Sequence, residues 1–154
     1  MEYREAQLAD LPKLLEIEQC IVDAERPFNI HIKSGNPTYY DIKELICSSD
    51  AMVMVGVAQG EIVATGYAQI RLSKASLEHE FHSYLGYMYV SPDFRGRGIN
   101  GEIIELLKSW SLEKGVKHLY LEVYAQNTAA MKAYQKVGFD PCLLKMKLSL
   151  DEQI

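Results

Sequence analysis

The chain has few cysteines, and none of them falls in a pattern that a disulfide framework or a zinc site requires. Cys20, Cys47 and Cys142 are odd in number, widely separated and outside any C-x-x-C pair. This argues against a disulfide-stapled scaffold and against a zinc site. The histidines lack ligand spacing such as H-E-x-x-H, so we expect no metal. We expect the three thiols to be buried as small hydrophobic groups.

Long apolar runs are also missing from the sequence. The longest run, from Ala51 to Ala58, is far shorter than the ~20 residues that a membrane-spanning helix needs. The first residues contain no cationic and then apolar stretch of the kind found in secretory signals. We therefore expect no membrane partner and a cytoplasmic location.

Positive charge is in deficit. The chain has 16 Lys and Arg against 21 Asp and Glu, which gives a formal net charge of -5. Proteins hold nucleic-acid backbones with clustered Lys and Arg, so we expect no nucleic acid as a partner. A negative charge is compatible with a cationic acceptor such as an amine.

The composition is that of a soluble globular protein, with 48% hydrophobic and 24% charged residues among 154. This length is enough to bury one good core and too short for two substantial ones. The sequence contains no internal repeat and no linker. We therefore predict a single domain over residues 1–154.

Hydrophobic periodicity predicts the secondary structure. Strands are predicted at 2–5, 51–58, 62–70, 80–90, 118–124 and 143–150, and helices at about 11–24, 40–47, 98–115 and 127–137. A turn-rich loop is predicted between the first two helices. The order strand, loop, helix, strand after residue 80 implies a crossover connection and a parallel strand pair. The predicted fold class is α/β of the α+β type, with a mixed, mostly antiparallel central sheet and about four helices on its faces.

One glycine-rich loop carries the strongest chemical signal. Arg95-Gly96-Arg97-Gly98 follows the strand that ends at Val90 and precedes a helix. The first N–H groups of a helix have no internal partner, and the helix dipole adds positive potential there. Glycines permit the sharp turn, and the arginines can make bidentate contacts to phosphate oxygens. The loop predicts an anion at the helix start. A surface turn with two solvated arginines is the alternative, because it is compatible with the same sequence.

Two motifs in this order resemble the GNAT superfamily of N-acetyltransferases. The segment Val90 to Ile99 reads V-x-P-x-x-R-G-x-G-I, which is similar to the coenzyme A signature of that superfamily. The segment Asn127 to Phe139 reads N-x-x-A-x-x-x-Y-x-x-x-G-F, which is similar to its later motif. The resemblance is best from Tyr84 to Phe139.

The resemblance implies acetyl-CoA as the donor, bound where two parallel strands ending at Val90 and Tyr124 splay apart. Backbone groups near Met88 and Val90 would pair with the pantetheine arm and the thioester. The donor-site residues that follow are Met88, Val90, Arg95, Gly96, Arg97, Gly98, Asn100, Gly101 and Asn127.

Asn100 departs from the superfamily pattern. From the residue matching Arg95, that pattern usually reads R-x-x-G-x-G or R-x-x-G-x-A, whereas this chain has Asn100 in the sixth place and then Gly101. The larger side chain would crowd the phosphates or the helix-to-sheet contact, or its amide would add a hydrogen bond. Both alternatives stay open at this point.

The resemblance also names a candidate general acid. Tyr134 matches the tyrosine that protonates the departing thiolate, and a phenol pKa near ~10 and a thiol pKa near ~8.5 are close enough for this transfer. Glu80 is our first choice as general base, ahead of Glu122, with Glu78, His79 and His82 as further candidates. Some superfamily members use no dedicated base.

The expected activity is transfer of acetyl from acetyl-CoA to a primary amine by direct attack in a ternary complex. The matched motifs contain no cysteine, which disfavours a covalent acyl-enzyme. A non-catalytic acyl-CoA sensor is the alternative, and a generic nucleotide binder is disfavoured because no P-loop motif is present. Tyr39, Tyr40, Tyr84 and Tyr124 are candidates for the acceptor side, but the sequence does not identify the amine. Many members of the superfamily are dimers, so a homodimer is one option.

Overall fold

The computed structural model describes residues 1–152, and the chain divides into two compact units. The first unit comprises Met1–Glu122, and the second begins at Val123. The first unit contains a five-stranded sheet and three α-helices, and the second contains one α-helix within the described residues. The expectation of a single domain over 1–154 stays a prediction.

The sheet has its strands in chain order. They are β1 (Glu2–Glu5), β2 (Ala51–Ala58), β3 (Glu61–Leu72), β4 (Phe81–Val90) and β5 (Leu119–Leu121). Neighbouring strands are antiparallel except β4 and β5, which are parallel. The predicted mixed, mostly antiparallel sheet with one parallel pair is therefore confirmed. β5 is shorter than the predicted strand at 118–124.

Four α-helices accompany the sheet: α1 (Leu11–Glu25), α2 (Ile42–Cys47), α3 (Ile99–Glu113) and α4 (Thr128–Lys136). Pro12 stands in the first turn of α1, where its missing N–H costs nothing. The Asp41 carboxylate caps α2 by accepting the Glu44 N–H at 3.1 Å. Within residues 1–152, no helix combines the length and the apolar character needed to cross a membrane.

Helices pack on both faces of the sheet. Leu14, Ile17 and Ile21 of α1 are buried with residues of β2, β3 and β4 in one core cluster. On the opposite face, Ile103 of α3 approaches the sheet so closely that a Cβ on Gly66 would lie 2.8 Å from its Cγ2. This contact between the Ile103 side chain and the Gly66 backbone fixes α3 against the centre of the sheet. It thereby also fixes the loop that precedes α3.

The predicted last strand, Leu143–Leu150, is wrong. The structure assigns no strand there, and its large apolar side chains are exposed, with Leu143 at 82% and Met146 at 86%. Alternating apolar residues are necessary for a half-buried strand, but a strand also needs a backbone partner and a surface to cover. The alternation alone was therefore an insufficient signal.

The expectation of buried cysteines is also wrong, because Cys20, Cys47 and Cys142 are all exposed. Cys20 lies on α1 outside the helical stripe that contains Leu14 and Ile17, so the periodicity of the helix turns it to solvent.

A buried carboxylate organises the loop between α1 and α2. Glu18 is fully buried, and its Oε2 accepts the backbone N–H groups of Tyr39 and Tyr40 at 2.8 and 2.9 Å. Arg26 donates to the carbonyls of Lys33 and Gly35 in the same loop. Charge-assisted bonds from a buried carboxylate are stronger than neutral ones, so these contacts tie the loop to α1.

A β-bulge interrupts the pairing of β3 with β4. Thr65 pairs with Tyr89 and Tyr67 pairs with Gly86, so two residues of β4 oppose one of β3. Tyr87, inside the bulge, has a left-handed backbone with φ of 59°. The surroundings hold it there, because its carbonyl accepts from Thr65 Oγ1 at 2.7 Å and its hydroxyl donates to the Leu14 carbonyl.

We predict that Gly86→Ala destabilises the protein by about 1–3 kcal/mol through overpacking. An added Cβ would lie 2.5 Å from Cε1 of the buried Tyr67 ring. Chemical denaturation measures the free energy of unfolding. In a Tyr67→Leu background the same glycine substitution should cost much less, because the clashing ring is gone. An equal cost in both backgrounds would show that ring contact is not the cause.

Candidate active site

The loop from Ser91 to Gly98 leaves the end of β4 and enters α3. Gly96 and Gly98 have φ values of 77° and 78°, in the left-handed region that side chains rarely adopt. No heavy atom lies within 4 Å of a Cβ built on either glycine. The loop therefore presents bare backbone to open space, which is the shape that a large phosphate group requires.

The start of α3 has an unfilled hydrogen-bonding capacity. Gly98 stands at the N-cap position, and no side chain caps the helix. The first-turn carboxylate of Glu102 is engaged by the Tyr3 hydroxyl. The orphan N–H groups and the helix dipole together favour an anion at this end.

Both loop arginines are exposed and each is tethered by the loop itself. Arg95 Nε donates to the Val90 carbonyl at 2.9 Å, and Arg97 Nη2 donates to the Asp93 carbonyl at 3.1 Å. The Arg97 guanidinium also lies over the Phe94 ring, 4.9 Å from its centroid. One bond per guanidinium leaves further N–H donors, so both side chains are oriented and still able to bind phosphate oxygens.

Asn100 and Gly101 are the second and third residues of α3. Asn100 is half-buried, so its side chain is neither fully solvated nor part of the core. Its two predicted roles, crowding the phosphates or adding a hydrogen bond, stay predictions.

The parallel pairing of β4 with β5 stops well before β4 ends. The paired residues are Ser83 to Leu85 with Leu119 to Leu121, so β5 offers no ladder partner to residues 86–90. Met88 and Val90 lie in this stretch, and the Val90 carbonyl is already taken by Arg95. Backbone groups near Met88 thus lie where the predicted slot should open, and their pairing with pantetheine stays a prediction.

The second unit contains the later motif. The Asn127 side chain caps α4 by accepting the Ala130 N–H at 3.2 Å, as its sequence position predicted. Gly138 follows the helix with a left-handed φ of 108°. The half-buried Tyr134 ring packs edge-on against Phe139 with centroids 6.1 Å apart. The motif residues therefore have clear local structural roles, and their roles toward a donor or a thiolate stay predictions.

The candidate bases Glu80 and Glu122 lie at different levels along β4, because Glu122 follows Leu121, which pairs with Leu85. Glu80 is exposed and immediately precedes β4, so the length of that strand separates it from Val90 and the glycine-rich loop. Glu122 directly follows β5, where the parallel pairing ends. Its charge raises the pKa of Tyr84 and Tyr67, although burial has a larger effect on both phenols. Position therefore favours Glu122 over Glu80.

His79 and His82 belong to a hydrogen-bonded network. Ser73 Oγ lies 2.8 Å from His79 Nδ1 and 2.9 Å from His82 Nδ1, and His79 Nε2 lies 2.9 Å from the Tyr120 hydroxyl. Burial lowers the pKa of His82, and the neighbouring His79 lowers it further. Among the described residues, no group of three or more His, Cys, Asp or Glu is arranged to hold a metal ion.

A row of tyrosines crosses the face of the sheet that α1 covers. Tyr40 contacts Tyr67 and Tyr67 contacts Tyr84, with ring centroids 5.5 and 6.3 Å apart. Tyr40 and Tyr84 were expected on the acceptor side, and that role stays a prediction. Tyr67, which the sequence did not single out, is buried in the core. Arg71, also not singled out, lies over the Tyr84 ring at 3.8 Å. The period-two spacing of Tyr67, Gln69 and Arg71 was the available signal, because it places all three side chains on one face.

The start of α3 combines open backbone with two arginines and lies next to a strand pair that comes apart, a geometry suited to a phosphorylated ligand. The sequence matches the acetyltransferase (GNAT) family over residues 14–139. The chain therefore belongs to the GNAT family of acetyltransferases.

Individual relatives agree with this assignment. The chain is 26% identical over 122 residues to the aminoglycoside N(6')-acetyltransferase type 1 of Salmonella typhimurium, covering 74% of each protein. A match to the uncharacterized N-acetyltransferase YobR of Bacillus subtilis is 33% identical over 57 residues, which is 37% of this chain and 23% of that protein.

Solved structures show the same fold. A variant of the BH1408 protein from Bacillus halodurans superposes with a TM-score of 0.88 at 22% identity, covering 97% of this chain and 99% of that one. A predicted acetyltransferase from Clostridium acetobutylicum, solved with acetyl-CoA, has a TM-score of 0.75 at 19% identity, covering 99% and 97%.

We predict that Gly98→Ala weakens acetyl-CoA binding about tenfold, because a Cβ strains the left-handed backbone by roughly 1–2 kcal/mol and covers the phosphate cradle. Calorimetric titration measures the affinity. Gly60→Ala is the matched control, since Gly60 has a φ of 77° and open space around it in the turn between β2 and β3. Equal loss of acetyl-CoA affinity in both variants would count against a phosphate-binding role of Gly98.

Proposed function

We propose that the chain is an N-acetyltransferase that moves an acetyl group from acetyl-CoA to a primary amine by direct attack in a ternary complex. The uncapped start of α3 beside Gly96 and Gly98 is the observation that carries this proposal. Membership of the GNAT family and a similar fold solved with acetyl-CoA support it.

Different residues bind different parts of the donor. The N–H groups at the start of α3 and the bare backbone at Gly96 and Gly98 receive the pyrophosphate, and Arg95 and Arg97 add charge-assisted bonds to its oxygens. Backbone groups near Met88 align the pantetheine arm as an additional strand-like segment beside β4.

The reaction requires three proton transfers. Glu122 takes a proton from the acceptor ammonium, directly or through water, and frees the lone pair of the nitrogen. The nitrogen attacks the thioester carbonyl, the C–N bond forms and the C–S bond breaks. Tyr134 donates its phenol proton to the departing thiolate and regains one from the acylated nitrogen. One proton is released overall for each amine acetylated.

The competing function is an acyl-CoA sensor without catalysis. Such a sensor would bind acyl-CoA at the glycine-rich loop but would not transfer the acyl group. The deciding experiment is an acceptor screen that measures release of free coenzyme A thiol from acetyl-CoA across a broad panel of amines. Amine-dependent thiol release supports the enzyme, whereas tight acetyl-CoA binding with no acceptor-dependent release supports the sensor.

Tyr134→Phe should lower kcat by roughly a hundredfold or more, because the acid that protonates the thiolate is lost. The affinity for acetyl-CoA should be unchanged, since the ring that packs against Phe139 is retained. Steady-state rates and calorimetry measure the two quantities. A variant with the wild-type kcat would remove Tyr134 as the acid.

Glu122→Gln should lower kcat/KM for the acceptor by at least about tenfold, because the amide cannot accept the ammonium proton. Glu80→Gln, just before β4 begins, tests the candidate that the sequence favoured. Acceptor saturation curves compare the two variants. A large loss in Glu80→Gln with full activity in Glu122→Gln would reverse our assignment of the base.

A further inference from the structure

One ordered arginine of the first unit has no carboxylate partner. Arg71 is the last residue but one of β3, and its side chain is exposed. Within residues 1–152, no salt bridge joins its guanidinium to an acidic side chain. The planar guanidinium fork matches the geometry of a carboxylate, so an ordered and unpaired arginine is a candidate anion site.

Three contacts fix the position of the Arg71 side chain. The guanidinium lies over the Tyr84 ring at 3.8 Å, and its Nε donates to Gln69 Oε1 at 3.0 Å. Its Nη2 donates to the Tyr67 hydroxyl at 3.4 Å. These bonds leave both hydrogens of Nη1 for a ligand. A side chain that is already oriented loses less entropy when a ligand binds.

His82 supplies a second donor beside this guanidinium. It is the partner of Arg71 in the β3–β4 ladder, so the two side chains share one face of the sheet. Ser73 Oγ lies 2.9 Å from His82 Nδ1, whereas Nε2 has no hydrogen-bond partner among residues 1–152. When Nδ1 accepts from the Ser73 hydroxyl, Nε2 carries the proton and can donate it to an anion.

The surroundings of His82 have an excess of positive charge. Burial lowers the pKa of the His82 imidazole most, and the neighbouring His79 and Arg71 lower it further. A carboxylate close by would raise this pKa, but no acidic group among the described residues contributes to the shift. The electrostatic potential at this point of the surface therefore favours an anion.

A negative charge lies further along the same face. Tyr120 of β5 pairs with Tyr84, and the exposed Glu122 is two residues beyond Tyr120, so strand alternation places Glu122 on the face of the Tyr84 ring. Burial raises the pKa of Tyr84 to about 12, and the charge of Glu122 adds to the increase. The surface around this half-buried ring therefore has a guanidinium on one side and a carboxylate on the other.

The two charges are separated by about one repeat of the strand. Arg71 pairs with His82, but its guanidinium reaches forward to the Tyr84 ring. Glu122 belongs one same-face position beyond that level. Successive side chains on one face of a strand are about 7 Å apart, so a ligand that contacts both charges must span roughly that distance. A short aliphatic chain with a charge at each end meets this requirement.

Acetyl transfer gives the two ends of such a ligand different tasks. The reacting nitrogen must lose a proton, which is the role proposed for Glu122. The other end stays charged throughout, and a guanidinium holds it if it is a carboxylate. We propose that the acceptor is an aliphatic amine that also carries a carboxylate, with the carboxylate bound by Arg71 and His82 and the amine at Glu122.

This inference rests on the proposed acetyltransferase activity and goes beyond it by naming the class of amine. The test compares acceptors that differ only in charge: ε-aminocaproate and its neutral counterpart of equal length, ε-aminocaproamide. Shorter ω-amino acids and their amides, down to β-alanine, extend the series to find the best span. We expect kcat/KM for the best amino acid to exceed that for its amide by about tenfold, because the amide lacks the charge-assisted pair.

Arg71→Gln is the diagnostic variant, because it removes the charge and keeps a polar side chain. It should reduce the ratio of amino acid to amide kcat/KM from about ten to about one. Arg71→Lys should retain part of the ratio, because the charge remains and the planar fork is lost. Lys74→Gln, which removes an exposed cation in the loop after β3, is the matched control and should keep the ratio. Thermal unfolding checks that each variant is folded.

Two results would overturn the inference: no preference for the amino acid over its amide at any length, or a preference that survives in Arg71→Gln. If no amine supports thiol release, the proposed function fails, but calorimetric binding of the same probes still tests the site. Tighter binding of ε-aminocaproate than of its amide, lost in Arg71→Gln, would support the anion site even then. Equal binding would overturn it.

Discussion

The candidate site depends on how β4 pairs with its two neighbours. It follows β3 along its whole length, but it follows β5 only from Ser83 to Leu85. The bulge at Tyr87 lies just beyond that point, in a conformation that costs a non-glycine residue on the order of 1–3 kcal/mol. Contacts from Thr65, Leu14 and Tyr40 hold it there. The protein therefore tolerates a strained backbone at the point where β4 and β5 separate.

Local rules predicted the parts of the structure that depend on neighbours in sequence. The apolar spacing of α1, the glycine loop before α3 and the Asn127 cap are each determined within about one helical turn or one strand, so pattern and propensity sufficed. The GNAT motifs were recognisable for the same reason, because backbone conformations at Gly96 and Gly98 restrict the residue type locally.

Long-range contacts explain what the sequence could not predict. The strand expected at Leu143–Leu150 had the right alternation, but no pattern states whether an edge is available to it. In the sequence, Glu18 does not differ from the other polar residues of α1. Its burial depends on the Tyr39 N–H, which is distant in sequence and donates a hydrogen bond to its carboxylate. The position of Arg71 becomes clear in the same way, through its contact with the Tyr84 ring of the neighbouring strand.

The exposed cysteines affect how this chemistry can be followed. Cys20, Cys47 and Cys142 are accessible to the disulfide reagents that detect coenzyme A thiol. They would consume reagent in proportion to the amount of protein and independently of acceptor concentration. A burst seen on mixing therefore need not signal an acyl-enzyme, and a thiol-blocked protein is the appropriate reference for any early phase.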